Sequence, residues 1–134
     1  MPHAPIFIIN LQRSPDRRMF MQTQLQSLGL KFEFFTAVDG QALTAQQVSY
    51  YDDDLRKKTG WFNHKLANNE IACVLSHLQI WEKMWKENIE HAIILEDDIT
   101  LDEDFAQIIN RENCYPKNYG NCTPHQITLP ASAI

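Results

Sequence analysis

An acidic triplet stands directly after an apolar run that has the length of a strand. The run is Ala-Ile-Ile-Leu at 92–95, and Glu96, Asp97 and Asp98 follow it. In an extended chain residues 96 and 98 point to the same side, so this pair of carboxylates can face one cation. Mg²⁺ and Mn²⁺ prefer such oxygen ligands. A solvated strand end is the common alternative, and the residues by themselves favour it. A calcium loop continuing through Asp102 lacks the central glycine.

Polar residues of a second kind follow the first predicted strand. Asn10 and Arg13 lie on the loop that should leave this strand, and Arg17 and Arg18 follow in the first turn of a predicted helix. The planar guanidinium fork suits phosphate, and a helix N-terminus adds exposed amides. The alternative is that Arg17 and Arg18 are exposed helix residues with Asp16 as a local ion-pair partner.

Two further pairs could contribute to a site. Asp39, at a second strand end, could accept hydrogen bonds from a ribose or a base, or it could be a turn residue beside Gly40 at positive φ. Glu70 and His77 are seven residues apart and therefore share a helix face. A helical histidine is as often structural as functional. A buried Glu70 would need a partner, for which Arg13 and His77 are candidates.

The elements that must position these residues alternate between strand and helix. Strands are predicted at 5–10, 31–36 and 92–95, and helices at 14–28, 44–51 and 69–87. This order predicts an α/β fold with a mainly parallel sheet, in which ligands bind outside the carboxyl ends of the strands. The residues from 10 to 17, the pair Asp39 and Gly40, and the triplet 96–98 should therefore converge on one edge.

The long helix at 69–87 carries most of the predicted apolar surface outside the strands. We expect Asn69 to cap its start and Asn88 its end, and Cys73 to be a small core residue. The apolar face of the helix is predicted to consist of Ile71, Val74, Leu75, Leu78, Trp81 and Trp85.

Length and composition restrict the class of protein. The chain has 134 residues, 44% of them hydrophobic, and a net charge of −5, which fits one globular domain and argues against nucleic-acid binding. The three cysteines fit no zinc spacing. No apolar run is long enough to cross a membrane, and the first residues lack a signal-peptide pattern, so we expect a cytoplasmic location. We expect residues 1–105 to form one domain, and residues 106–134 to be an irregular tail, disordered or derived from a frameshift.

Three ordered sequence blocks resemble the family 25 glycosyltransferases, the lipopolysaccharide and lipooligosaccharide biosynthesis enzymes of Gram-negative bacteria. The blocks are IINLQRSPDRR at 8–18, FFTAVDG at 34–40, and NEIACVLSHLQIW at 69–81 leading into AIILEDD at 92–98. Together they cover residues 6–105. Two positions depart mildly from the family pattern: Asn69 and Ala72 stand where glycine is common. The larger departure from the family pattern is in length. Family members are longer, and residues 106–134 do not resemble the part of their sequence that follows these blocks.

The resemblance implies a GT-A-like, Rossmann-related half that binds a nucleotide sugar. It implies transfer of a hexose, galactose or glucose, from a UDP-hexose donor to a saccharide acceptor on lipid A-core, with a divalent metal, Mn²⁺ or Mg²⁺. With the resemblance, the metal interpretation of the triplet becomes the better one, with Glu96 and Asp98 as ligands. The catalytic candidates are Asp97, Asp98 and His77. The donor-binding candidates are Asn10, Arg13, Arg17, Asp39, Gly40 and Glu70.

A truncated member of this family has two alternative roles. It could transfer sugar at the inner face of the inner membrane, where its lipid acceptor would be, although the general base could lie in the missing part. It could instead be a non-catalytic remnant that at most binds nucleotide sugar. In either case an incomplete sheet leaves an exposed edge, which favours self-association into a homo-oligomer.

Overall fold

The computed structural model describes residues 3–51 and 65–110. None of the helices in these two ranges is long and apolar enough to span a bilayer. The elements, in chain order, are strand β1 (Ile6–Asn10), helix α1 (Pro15–Ser27), strand β2 (Glu33–Thr36), a 3₁₀ turn (Gly40–Ala42), helix α2 (Ala45–Ser49), helix α3 (Asn68–Lys86), strand β3 (Ile93–Glu96) and helix α4 (Phe105–Ile109).

The three strands form one parallel sheet in the order β2-β1-β3. All five residues of the central strand β1 are buried, which is why its sequence is a continuous apolar run rather than an alternating one. Ile9 pairs with Glu96, so β1 and β3 end at the same edge of the sheet. The predicted α/β fold with a parallel sheet is therefore confirmed.

The described residues belong to two compact units, and the division falls inside α3. Among the described residues, the sheet unit comprises 3–37 and 80–110, and the helical unit comprises 38–51 and 65–79. The sheet, α1, α4 and the last part of α3 belong to the sheet unit. The 3₁₀ turn, α2 and the first part of α3 belong to the helical unit.

The sheet unit has an apolar layer on each side of β1, because successive side chains of a strand point to opposite faces. Ile6 and Ile8 pack with Met21 and Leu25 of α1 and with Ile109 of α4. On the other face, the partners come from the end of α3 and from the segment after it. This second layer is built from Phe7, Ile9, Ile80, Met84 and Ile89. Full burial of each such side chain is worth about 1.5–3 kcal/mol.

Helices α1 and α3 end in the same backbone motif. After α1, Gly29 has φ +67°, its N–H donates to Gln26 O at 3.0 Å, and Leu30 N donates to Leu25 O at 3.0 Å. After α3, Asn88 has φ +53° and Ile89 N donates to Met84 O at 2.8 Å. Both are Schellman motifs, which satisfy carbonyls that a helix end would leave unpaired. The predicted helix ends at Gly29 and Asn88 are confirmed.

The helical unit has its own small core, formed by Tyr51, Leu66, Ile71 and Leu75. Helix α2 starts with the predicted cap at Thr44, whose hydroxyl accepts from Gln47 N at 3.1 Å in a capping box. The start of α3 differs from the prediction. Ala67, not Asn69, holds the N-cap position, since its carbonyl accepts from Ile71 N at 3.1 Å.

The predicted apolar face of α3 is confirmed in part, since Ile71 and Leu75 are buried and Leu78 packs against them. Val74, Trp81 and Trp85 are 37%, 49% and 53% exposed, and Cys73 is exposed rather than part of the core. Ala72, Ser76 and Ile80, which the prediction left out, are buried instead. The buried residues of α3 are Ile71, Ala72, Leu75, Ser76 and Ile80.

The predicted domain boundary at residue 105 coincides with the first residue of a short helix and stays a prediction. Residues Phe105–Ile109 form α4, and Ile109 is 6% exposed because it packs on the core of the sheet unit. The rest of the predicted tail, residues 111–134, lies outside the described residues and includes Cys114 and Cys122. Trp61 and Phe62, whose rings the sequence offers for stacking on a base or a sugar, lie outside them too.

Candidate functional site

A buried polar cluster lies where β1 and β3 end. Asn10 and Asp97 are 4% and 7% exposed. Asn10 Nδ2 donates to Asp97 Oδ2 at 2.7 Å and to the backbone oxygen of Ser14 at 3.2 Å, and Arg17 Nη1 donates to Asp97 Oδ1 at 3.1 Å. A buried carboxylate is costly unless it is hydrogen-bonded, and here each of its oxygens has a donor. The cluster thereby ties the ends of two strands to the start of α1.

The two neighbours of Asp97 have the opposite environment. Glu96 and Asp98 are exposed: Glu96 is the last residue of β3, and Asp98 follows in a turn rather than in the extended chain that the sequence predicted. Arg17 Nη1 lies 3.9 Å from Asp98 Oδ2, which makes Arg17 a shared partner of both aspartates. Carboxylate oxygens that reach the surface are a donor set that fits Mg²⁺ or Mn²⁺. Asp97, named above as a catalytic candidate, is buried and accepts hydrogen bonds from Asn10 and Arg17, which is the position of a supporting residue.

The arginines of this region differ in their surroundings. Arg17 contacts the acidic triplet, whereas Arg18 stacks its guanidinium over the Phe34 ring, 4.0 Å from the ring centre. Arg13 is exposed on the loop between β1 and α1. Ser14 occupies the N-cap of α1 as predicted, although its side chain makes no capping hydrogen bond. For Arg18, the stacking supports the structural interpretation.

The remaining candidates lie in the helical unit. Asp39 Oδ1 accepts from Gln41 N at 2.9 Å and caps the 3₁₀ turn. Glu70 is exposed, and its carboxylate accepts from Ala67 N at 2.7 Å at the start of α3. His77 Nδ1 donates to the backbone oxygen of Cys73 at 2.9 Å. Each bond satisfies a local backbone group, so each favours the structural alternative. The convergence of these residues with those of the sheet unit stays a prediction.

Gly40 is required for a reason other than the predicted positive φ. Gly29 has the positive φ, whereas Gly40 approaches the start of α3 closely. A Cβ on Gly40 would lie 2.5 Å from Asn69 Oδ1 and 3.1 Å from the Asn68 carbonyl atoms. Real Cβ atoms essentially never come as close as the first of these distances. Gly40 is therefore a packing glycine, which corrects the turn interpretation.

Two polar residues with bridging roles were missed from the sequence. Ser76 is buried, accepts from Val38 N at 2.9 Å and donates to Ala72 O at 2.8 Å. Gln24 of α1 bonds the backbone of the segment after the acidic triplet at Ile99 and Leu101. A polar residue inside an otherwise apolar helix stripe is the signal for Ser76. The signal for Gln24 is weaker, namely its spacing of seven residues from Arg17.

The comparisons with known proteins agree on one family. The profile described as glycosyltransferase family 25 (LPS biosynthesis protein) matches residues 3–124. A glycosyltransferase 25 family member of Drosophila pseudoobscura pseudoobscura is 39% identical over 104 residues, which is 75% of this chain and 16% of the relative.

Two mouse proteins match a similar share of the chain and differ in the activity that their names state. Procollagen galactosyltransferase 2 of Mus musculus is 30% identical, over 76% of this chain and 17% of the relative. Inactive glycosyltransferase 25 family member 3 of Mus musculus is 29% identical, over 79% of this chain and 18% of the relative. The match thus spans less than a fifth of these relatives. On the profile match and the insect relative, the chain belongs to glycosyltransferase family 25.

Proposed function

We propose that the chain provides the donor site for transfer of a hexose from a nucleotide sugar to a saccharide acceptor. The main support is the arrangement around Asp97. Asn10 and Arg17 hold this carboxylate inside, and the flanking Glu96 and Asp98 are exposed at the carboxyl end of β3. In parallel α/β sheets, that end is where ligands bind. Family membership supplies the reaction class.

In this proposal Glu96 and Asp98 hold a divalent cation, Mn²⁺ or Mg²⁺. When bound, such a cation neutralises the negative charge that develops on a diphosphate leaving group. Asp97 keeps the end of β3 in place through its bonds to Asn10 and Arg17. In the same proposal Arg13 and Arg17, beside the start of α1, bind phosphate oxygens of the donor, a role that suits the guanidinium group. Asp39, Gly40, Glu70 and His77 remain hypothetical donor or catalytic residues.

The donor and the acceptor are proposed by analogy with the relatives. Galactose is supported by the name of the mouse procollagen galactosyltransferase, and glucose is the second candidate. The family description names lipopolysaccharide biosynthesis, which supports a lipid A-core saccharide and work at the inner face of a bacterial inner membrane. Because the named relatives are from insects and mammals, procollagen is the second acceptor to test.

A second candidate function is nucleotide-sugar binding without transfer. It is supported by a mouse relative that is named inactive. Rate enhancement depends on holding donor and acceptor together in one geometry. A chain that binds a donor and lacks an acceptor site would therefore bind without catalysing.

Calorimetry with UDP-galactose and UDP-glucose tests the donor site. We expect binding in the presence of Mn²⁺, loss of binding with a chelator, and at least about tenfold weaker binding by Asp98→Asn. Glu103→Gln is the matched control, since it removes one exposed carboxylate from the same acidic region. No binding by the folded wild-type chain would overturn the proposal. If the donor binds, product analysis with each acceptor separates transfer from binding alone.

A further inference from the structure

One face of α1 contacts the acidic triplet and the backbone that follows it. Arg17 and Gln24 are seven residues apart, which is two helical turns, so they lie on the same face. Arg17 reaches Asp97 at 3.1 Å. Gln24 reaches two residues further along the same segment, beyond Asp98.

The Gln24 carboxamide satisfies two backbone groups at once. Its Nε2 donates to Ile99 O at 3.1 Å, and its Oε1 accepts from Leu101 N at 2.8 Å. Residues 99–102 have no regular secondary structure, so neither a helix nor a sheet supplies hydrogen-bond partners for these two backbone groups. A carboxamide carries one acceptor oxygen and one donor nitrogen, and the two contacts fix which atom faces which. Gln24 therefore acts on this segment as a neighbouring strand would.

Packing around Gln24 fixes the same segment from its apolar side. Ile99 and Leu101 pack against the cluster that contains Met21 and Leu25 of α1. Gln24 itself is partly buried. Its two hydrogen bonds are thus partly shielded from water, and competition from solvent is reduced.

We propose that Gln24 is a positioning residue for the cation-binding carboxylates. Asp98 stands between two anchored residues: Asn10 and Arg17 hold Asp97, and Gln24 holds Ile99. This arrangement limits the backbone freedom of Asp98 before any ligand binds, so less ordering entropy is lost when a cation is bound. The inference rests on the proposed function, because it presumes a divalent cation at Glu96 and Asp98.

The test measures Mn²⁺ binding to the 134-residue chain without nucleotide, by calorimetry or by the spin resonance of free Mn²⁺. Gln24→Met keeps the side-chain volume and removes both hydrogen bonds, and Gln24→Ala removes both volume and bonds. Gln26→Ala is the matched control, since it changes an exposed glutamine on the same helix. Amide hydrogen exchange at Leu101 reports on the backbone contact independently of any cation.

We expect Gln24→Met to raise the Kd for Mn²⁺ about tenfold, the lower end of what loss of a supporting residue costs at metal sites. Exchange at Leu101 should accelerate, unfolding should remain cooperative, and Gln26→Ala should behave as wild type. Unchanged Mn²⁺ affinity in Gln24→Met would overturn the inference and leave the proposed function standing. If wild type itself binds no Mn²⁺, the cation part of the proposed function falls, and the inference with it. If Gln24→Ala does not fold, the volume-preserving Gln24→Met decides.

Discussion

At the scale of single residues, Gly40 is a position where an added Cβ would meet identified atoms of another helix. Gly40→Ala brings a Cβ to within 2.5 Å of Asn69 Oδ1 and 3.1 Å of the Asn68 carbonyl. Asn69 Oδ1 ends an exposed side chain that can turn away, whereas the Asn68 carbonyl belongs to the backbone, so we expect the free energy of unfolding to fall by about 1 kcal/mol, the low end of the cost of overpacking. Urea unfolding measures it. Adding Asn69→Ala should recover part of the loss, because the nearer contact disappears while the backbone contact remains.

Gly29→Ala provides a matched comparison for this prediction. Gly29 has open space around its Cβ position and a φ of +67°, so the cost there is conformational, about 1–2 kcal/mol. Adding Asn69→Ala to Gly29→Ala should therefore recover none of the lost stability. A Gly40→Ala chain as stable as wild type would contradict the packing interpretation. The sequence predicted a glycine-dependent turn at residue 40 but could not predict its cause, since the obstacle lies on an element 28 residues away.

Tyr51 is a buried phenol with an unsatisfied hydroxyl. It is 2% exposed, and within residues 3–51 and 65–110 its hydroxyl has no hydrogen-bond partner. An unpaired buried hydroxyl costs about 1–3 kcal/mol, so Tyr51→Phe should leave the free energy of unfolding unchanged or raise it. Urea unfolding at neutral pH measures this. Tyr50→Phe, on the adjacent and less buried ring, is the control, and a loss above about 1 kcal/mol in Tyr51→Phe alone would contradict the prediction.

The same residue predicts a dependence of stability on alkaline pH. Burial raises the pKa of Tyr51, and the neighbouring Tyr50 raises it further. Since the folded state favours the neutral phenol, this contribution to stability is present below the unfolded pKa of about 10 and is lost as pH rises through the folded pKa. Wild type should therefore lose more stability above about pH 10 than Tyr51→Phe does.

At the scale of elements, the end of α3 depends on a residue that tolerates positive φ. Asn88 has φ +53° and completes a Schellman motif with Ile89 and Met84. Asn88→Ala should lower the free energy of unfolding by about 1 kcal/mol, because alanine pays the full left-handed penalty, while Asn88→Gly should equal or exceed wild type. Thermal or urea unfolding of wild type and the two variants gives the order of their stabilities. Glu90→Ala, at an exposed position just beyond, is the control. Equal stability of the alanine and glycine variants would contradict the role of φ.

Helix ends and strands were predictable because their causes are local. Gly29, Asn88 and Thr44 act on backbone groups within a few residues, and β1 is a run of apolar side chains that needs two covered faces. The buried face of α3 was predictable only in part, since Ile71 and Leu75 are buried as expected. The structure also buries Ala72 and Ser76, and it leaves Trp81 and Trp85 exposed. Local periodicity finds apolar residues that share one side of a helix, but it does not say where the edge of the buried side lies.

At the scale of the whole molecule, the candidate site shows what topology adds to sequence. The parallel sheet brings Asn10 and Asp97 together across 87 positions, and the rule that ligands bind at the carboxyl ends of strands predicted that neighbourhood. Which residues of this region contact one another was harder to predict from the sequence. Arg17 was proposed as a phosphate ligand, and its contacts to two aspartates appear only in three dimensions. Gln24 is neither charged nor nucleophilic, so its residue type offered no reason to select it. Its role depends on a contact with Ile99, which lies 75 residues further along the chain.

Ligand-linked stability of the whole chain is the remaining prediction. A ligand that binds the folded state alone raises the free energy of unfolding by about 2.7 kcal/mol at 100 times its Kd. We therefore expect UDP-galactose with Mn²⁺ to raise the unfolding midpoint of wild type. Glu96→Gln and Asp98→Asn should abolish most of the rise, because they remove the exposed carboxylates beside Asp97.

Glu103→Gln should retain the rise, since it lowers the net negative charge equally at a residue outside the triplet. Differential scanning calorimetry on the four proteins, each with and without ligand, distinguishes a site from a general charge effect. A rise that survives both Glu96→Gln and Asp98→Asn would place the nucleotide sugar elsewhere on the chain. A rise lost equally in all three variants would mean that overall negative charge, rather than the geometry at the end of β3, attracts the cation.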